Sequence, residues 1–179
     1  YDINFFRING RRVGNNLSGG TNETYWTSEG TTTVRLHGAG PYTIGSDMPM
    51  TDVRLVVEAD CTIVADGIKI SNSGVDYSPI ECNGHAVTLQ LMFPNTLKAP
   101  NHYAAINVSP GSTLNITGPN PRYHYTYAHT LEATGGEYGA GIGGNDNQGC
   151  GTISVSTNAI VTAIGGYKAA RKPLVEMSP

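Results

Sequence analysis

Tyr138-Gly139-Ala140-Gly141-Ile142, followed after a turn by Gly151-Thr152-Ile153-Ser154-Val155-Ser156, is the third statement of a pattern that the chain has already made twice. Tyr77-Ser78-Pro79-Ile80 leads to Ala86-Val87-Thr88-Leu89-Gln90-Leu91, and Tyr103-Ala104-Ala105-Ile106 leads to Ser112-Thr113-Leu114-Asn115-Ile116-Thr117. In each of these strands the apolar residues take every second position, the period of a strand with one buried face. A second short strand follows in each unit and carries Leu97, Leu131 and Val161 in turn. An earlier strand and tail, Thr62 to Ile70, precede the first Tyr word.

The repeated tyrosines, Tyr77, Tyr103, Tyr138 and Tyr167, are 26, 35 and 29 residues apart, which fits a unit of about 25 with insertions. The long interval contains Pro119-Asn120-Pro121 and Arg122 to Tyr127, which do not alternate and are expected to loop out over 119–129. Apolar residues never recur at helical spacing through the repeats, so helix content should be very low. Units of this size, holding two or three short strands, predict an all-β solenoid: a parallel β-helix of about five or six coils, in which each coil buries its apolar face against its neighbours. One domain is expected: an irregular cap over 1–30 with Trp26 as its plug, coils over 31–166, and a tail over 167–179 that either caps the last coil or opens a longer array. Thr31 to His37, Pro41 to Ile44 and Val53 to Val57 read as the strands of the first coils. Gly141, Gly143 and Gly144 are read as the corner residues that supply positive φ.

Composition agrees with this reading and excludes other classes. The 179 residues include 23 Gly, 10 Pro, 19 Thr and 15 Asn, while charged residues are 14% against an ordinary ~25%. Four Lys and seven Arg with a net charge of −3 provide no basic field of the kind that binds phosphate, so nucleic acid is not expected as a partner. No apolar run is long enough to span a bilayer as a helix. Cys61, Cys82 and Cys150 are too scattered for a zinc site, and read either as buried thiols or as one disulfide plus a free cysteine.

The word Leu131-Glu132-Ala133-Thr134-Gly135-Gly136-Glu137-Tyr138-Gly139-Ala140-Gly141-Ile142-Gly143-Gly144, with Cys150-Gly151-Thr152-Ile153-Ser154-Val155 after it, resembles the repeats of large surface and secreted proteins of gut Gram-positive bacteria. Those repeats are carbohydrate-binding-domain-like or pectin-lyase-like right-handed β-helices. The resemblance runs from about Tyr42 to Gly166 and implies that fold, an extracellular or cell-surface location, and neighbouring domains in a larger parent chain. The segment from Pro119 to Tyr127 and the tail after Gly166 depart from the pattern.

Enzymes on such a scaffold need carboxylates gathered on adjacent coils of one face. Asp60, Asp66, Asp76, Glu81, Glu132, Glu137 and Asp146 fall at different phases, only Asp76 and Glu137 sharing one, so no catalytic residues are assigned. Asn145 to Gly149 presents oxygen ligands that Ca²⁺ accepts, but with a single carboxylate it reads as an Asn-rich turn, and no metal or cofactor is assigned. Four tyrosines at one phase should stack into a ladder, with one face able to pack on sugar rings. The inserted loop adds Tyr123, His124, Tyr125, Tyr127 and His129. Together with Tyr103 and Tyr138 these form the expected ligand-binding set. The functional expectation is a non-catalytic binding or adhesion module for a carbohydrate or host-surface ligand. The alternatives are a structural stalk, and a polysaccharide lyase or hydrolase on a pectin-lyase-like scaffold.

Overall fold

The computed structural model describes residues 6–14, 16–119, 129–156 and 158–169. Among them are eighteen strands and no helix, and therefore no helix long and apolar enough to cross a membrane. The chain opens with β1 (Phe6–Ile8) and β2 (Arg11–Val13), then β3 (Ser18–Gly19) and β4 (Trp26–Glu29). From there it visits the same three sheets in the same order, again and again. β5 (Thr33–Leu36) joins sheet one and β6 (Tyr42–Gly45) joins sheet two, while Met50 makes a single bridge to Ile70 at the place of sheet three. The next circuit is β7 (Arg54–Val57), β8 (Cys61–Ala65) and β9 (Lys69–Ser71), followed by β10 (Ile80–Glu81), β11 (Ala86–Leu91) and β12 (Asn95–Lys98). Then come β13 (Ile106–Asn107), β14 (Thr113–Thr117) and β15 (Thr130–Thr134), and last β16 (Ile142–Gly143), β17 (Thr152–Val155) and β18 (Ile160–Ile164). Each strand from β7 onward that has a predecessor in its sheet pairs with it in parallel, an arrangement compatible with a β-solenoid.

The alternation read from the sequence becomes ranks of side chains. In sheet two the register aligns Cys61, Val87, Leu114 and Ile153, and beside them Ile63, Leu89, Ile116 and Val155. Sheet one aligns Val34, Leu55, Ile80, Ile106 and Ile142 in the same manner. These apolar ranks are almost sealed from solvent up to the fourth circuit, and burying each Leu or Ile contributes about 1.5–3 kcal/mol. Between them the outward positions are polar, as in the rank Thr62, Thr88, Asn115 and Ser154. Twelve residues separate β14 from β15 whereas three separate β11 from β12, so the long interval in the sequence lies between sheets two and three. Residues 120–128 of it lie outside the described set.

At the N-terminal side the pairing changes sense. β1 pairs antiparallel with both β2 and β6, and β4 pairs antiparallel with both β3 and β5, so sheets one and two each end there in antiparallel strands. Phe6, Ile8, Val13 and Trp26 are buried beneath them. Two buried asparagines hold corners that the hydrophobic pattern does not announce. Asn72 accepts from the Val53 amide and donates to the Val53 carbonyl, and Asn95 accepts from the Ile68 amide, so each satisfies main-chain groups that no ladder reaches.

Two sequence expectations change here. Of the three glycines read as corners, only Gly143 has positive φ; the others face main chain of neighbouring segments at close range. A Cβ on Gly139 would stand 1.9 Å from the Tyr103 carbonyl oxygen, and one on Gly136 1.9 Å from that of Pro100. Lack of a side chain, more than backbone freedom, is what these positions require. The cysteines make no disulfide; Cys61 and Cys82 are buried, but Cys150 is exposed, just before β17 on the last circuit, beside which no further strand is described.

Burial pushes the Cys61 and Cys82 thiols up to about 12, with the Asp60 carboxylate adding to the effect at Cys61. At about pH 8 a disulfide reagent such as Ellman's should therefore modify Cys150 alone in the folded protein and all three thiols in denaturant. Fast native-state reaction of a second thiol would show that the stacked core is not closed at that level. Gly139→Ala should lower stability by about 1–3 kcal/mol, read from a denaturant melt, because the added methyl meets backbone that cannot move aside.

Candidate functional site

The third Tyr word is one residue longer than the first two, and that single residue reorganises the surface. Since Ile106 pairs with Ile142, Tyr103 faces Gly139 and Tyr138 falls one place earlier, level with His102. The rings of His102 and Tyr138 are stacked, with centroids 4.6 Å apart and an interplanar angle of 5°. Lys168 brings its ammonium 4.9 Å from the same Tyr138 centroid and donates to the Tyr138 hydroxyl at 2.9 Å. The column is thus His, Tyr, Lys and not the expected tyrosine ladder. Tyr77 is engaged elsewhere: its hydroxyl donates to the Asp52 carbonyl and the Arg54 guanidinium lies 4.5 Å over its ring. Tyr103 is half-buried and packs on the core, and Tyr167 is 75% exposed.

The turn between β16 and β17 folds back over the two preceding circuits. Its Asn145 Oδ1 accepts from the Ala104 amide at 2.8 Å and from the Ser78 hydroxyl at 3.0 Å, tying three successive circuits through one atom. The Asp146 amide donates to the His102 carbonyl at 2.7 Å, and the Asp146 carboxylate meets His102 Nδ1 at 2.8 Å. His102 itself has φ 70°, in the left-handed region, and among the described residues the five other non-glycine positions with positive φ are all Asn or Asp. A histidine pays more for that conformation than glycine would, so its retention is tied to the contacts it makes with Asp146 and Tyr138. Of the oxygens read as able to hold Ca²⁺, Asn145 Oδ1 accepts from Ala104 and Ser78, Gln148 Oε1 accepts from the Asn145 amide, and one Asp146 carboxylate oxygen lies against His102. Among the described residues no three His, Cys, Asp or Glu side chains come together as a metal site.

Between this turn and the Tyr138–Lys168 pair runs an open groove of about 490 Å³, floored by Ala140 and Gly144 and edged by Asn147 and Gln148. Its cations and carboxylates are matched. Lys168 binds Glu137 at 2.5 Å, and Tyr167 donates to the same carboxylate. The hydrogen bond from Lys168, and after it that from Tyr167, holds the Glu137 carboxyl below its ordinary range, while Glu137 and then Tyr138 push the Lys168 ammonium up. The other carboxylates considered for catalysis are distributed along the fold. Asp60 and Asp66 flank opposite ends of β8, where they meet His85 and Arg7, Glu81 meets Arg54 on the next circuit, and Asp76 is exposed.

Of the expected ligand-binding residues, Tyr123, His124, Tyr125 and Tyr127 lie outside the described set. His129 is half-buried at the start of β15, where its Nδ1 meets the Met92 carbonyl. That corner joins sheets two and three, whereas Tyr103 and Tyr138 precede sheet one, so β15 separates His129 from them. What the structure gathers instead is His102, Tyr138, Asn145, Asp146, Gln148 and Lys168. The sequence signal for this was the extra residue in the third word together with the Asn-Asp-Asn-Gln run after it. No protein-family model, curated protein or solved structure matches this chain.

Asn145→Ala removes the acceptor shared by Ala104 and Ser78, and both of those residues are sealed from solvent. A loss of about 1–3 kcal/mol is expected in chemical denaturation, because a buried main-chain amide is left without a partner. Asn147→Gly, at a left-handed position on the groove rim, should change stability by less than about 1 kcal/mol. Equal effects at the two positions would mean that Asn145 does not hold the turn.

Proposed function

We propose that this chain is a right-handed parallel β-helix of five circuits that serves as a non-catalytic carbohydrate-binding or adhesion module of a bacterial cell-surface or secreted protein. The handedness rests on the rule that crossovers between parallel strands are right-handed in about 98% of cases. The setting rests on the resemblance of the Leu131 to Gly144 word to surface-protein repeats.

The groove edged by the Asn145 turn carries the functional reading. Its ionic groups are engaged with one another, Asp146 with His102 and Glu137 with Lys168, so none of them is presented alone to a ligand. Beside Tyr138 the groove is lined by the side-chain amides of Asn147 and Gln148, and next to the lining residue Lys168 the ring of Tyr167 is exposed, its hydroxyl bonded to Glu137. Amides and an aromatic face are the groups that recognise an uncharged sugar, the former bonding hydroxyls and the latter covering the apolar face of the ring. A catalytic acid would need its carboxyl raised towards neutrality, and Glu137 is shifted the opposite way.

A glycan array probed with the purified chain, with and without Ca²⁺, followed by a cleavage assay on every hit, tests this reading. Retention of neutral glycans without cleavage, independent of Ca²⁺, is expected. Gln148→Ala and Tyr167→Ala should each weaken that retention about tenfold, the loss of one buried polar contact or stacking face, while leaving the melting temperature within about 2 °C. Cleavage of the bound glycan would make the chain an enzyme, and silence across the array would favour a stalk that presents other domains.

A further inference from the structure

A second cluster of chemically capable side chains stands on the outer surface of sheet one, where β10 and β13 separate it from β16 and the Asn145 turn. Trp26, Ser28, Leu36 and Val57 are buried, so strand alternation turns Thr27 on β4, and His37 and Glu58 just past the ends of β5 and β7, towards solvent. All three are half-buried. Thr27 Oγ1 lies 2.7 Å from His37 Nε2, and His37 Nδ1 lies 2.8 Å from Glu58 Oε2. The other Glu58 oxygen accepts from Arg35 at 2.7 Å, and Arg35 also donates to both oxygens of Glu29, at 2.7 and 3.3 Å. The Tyr25 ring packs 5.4 Å from the imidazole, and the His37 and Glu58 amides donate to the Tyr25 and Leu36 carbonyls. A carboxylate only accepts, so the ring proton facing Glu58 sits on Nδ1. The neutral imidazole then has only a lone pair at Nε2, and the Thr27 hydroxyl must donate to it.

From this geometry we propose that Thr27 is an acyl-accepting nucleophile, with His37 as its general base and Glu58 as a positioning residue, and that it takes a small acyl group from an activated ester or thioester. A hydroxyl within hydrogen-bond reach of a base, with that base oriented by a third group, is the arrangement that makes an otherwise inert alcohol reactive. In the step, the bond from Oγ1 to the acyl carbon forms and the bond from that carbon to the leaving oxygen or sulfur breaks. The hydroxyl proton passes to Nε2 and from there to the leaving group, so the imidazole ends neutral and no further reactant is consumed. Glu58 holds Nδ1–H throughout and faces the imidazolium that forms in between. The Thr27 methyl, and Arg35 directly opposite in the β4–β5 register, narrow the approach, which keeps the acyl group small. Activation of the donor is needed because a secondary alcohol displaces only a good leaving group readily. The inference is independent of what occupies the groove.

Treatment of the full chain with p-nitrophenyl acetate, followed by digestion and mass spectrometry of the peptides, tests the proposal. Expected is a stoichiometric release of p-nitrophenolate with the acetyl group on Thr27, at least about tenfold faster than on Thr88, an equally half-buried threonine of sheet two. In denaturant the two threonines should react alike, a comparison that needs no variant to fold. Thr27→Val, nearly the same shape without the hydroxyl, should abolish the release. His37→Gln, which can still hydrogen-bond but cannot take the proton, should slow it at least about tenfold with the β-sheet circular dichroism unchanged. Glu58→Gln should slow acylation while leaving the ester concentration for half-maximal rate as it is, which a merely structural role would not do. Acetylation of Thr27 no faster than of Thr88 in the native chain overturns the proposal and leaves the cluster a tie between β4, β5 and β7. So does release that persists in Thr27→Val, or an unchanged rate in folded His37→Gln.

Discussion

Every strand from β7 onward is held by a neighbour 20 or more residues away, through a parallel ladder whose apolar rank has no other place to be buried. A single circuit has two or three short strands and a few inward side chains, too little to order itself. Stability is therefore a sum of contacts between successive circuits, and each circuit depends on the one beneath it. The close approach at Gly136 and Gly139, the corner asparagines Asn72 and Asn95, and the Asn145 turn are all responses to that constraint. They bring main chain of adjacent circuits into contact or satisfy main-chain groups where the ladders stop.

The strands were legible because period-two alternation survives in register. Val87-Thr88-Leu89 and Leu114-Asn115-Ile116 line up in the structure as they line up on the page. The interruption near Pro119 was legible for the converse reason, since two prolines and no alternation cannot continue a ladder. Residues that act between circuits were far harder to read. Asn145 looks like any turn asparagine until Ala104 and Ser78 are placed beneath it, 41 and 67 residues earlier. The tyrosine ladder failed on a difference of one residue. Aligning the words by their tyrosines hid an offset that aligning them by Ile80, Ile106 and Ile142 reveals, and the isoleucines prevail because they carry the strand register, with Ile80 and Ile106 fully buried, whereas Tyr77, Tyr103 and Tyr138 are half-buried.

That offset also explains why the candidate site lies where it does. Had the third word matched the first two, Tyr138 would have met Tyr103, and His102 would have faced solvent at a strained backbone position with no ring to stack on. The extra residue moves the aromatic group towards the Asn145 turn, where Asp146 meets the His102 imidazole and Glu137 meets the Lys168 ammonium around it. Pairing of this kind orients the side chains around the groove.

The antiparallel strands have a further consequence, which concerns the order of events during synthesis. They lie N-terminal to the parallel circuits, so their antiparallel pairing is in place once β6 has emerged and paired with β1. Chains that fold as they leave the ribosome add N-terminal structure first. Each later circuit then arrives at a finished template that presents one free edge in one direction. Growth of such a fold is vectorial, each circuit burying the apolar face that the one before it leaves open.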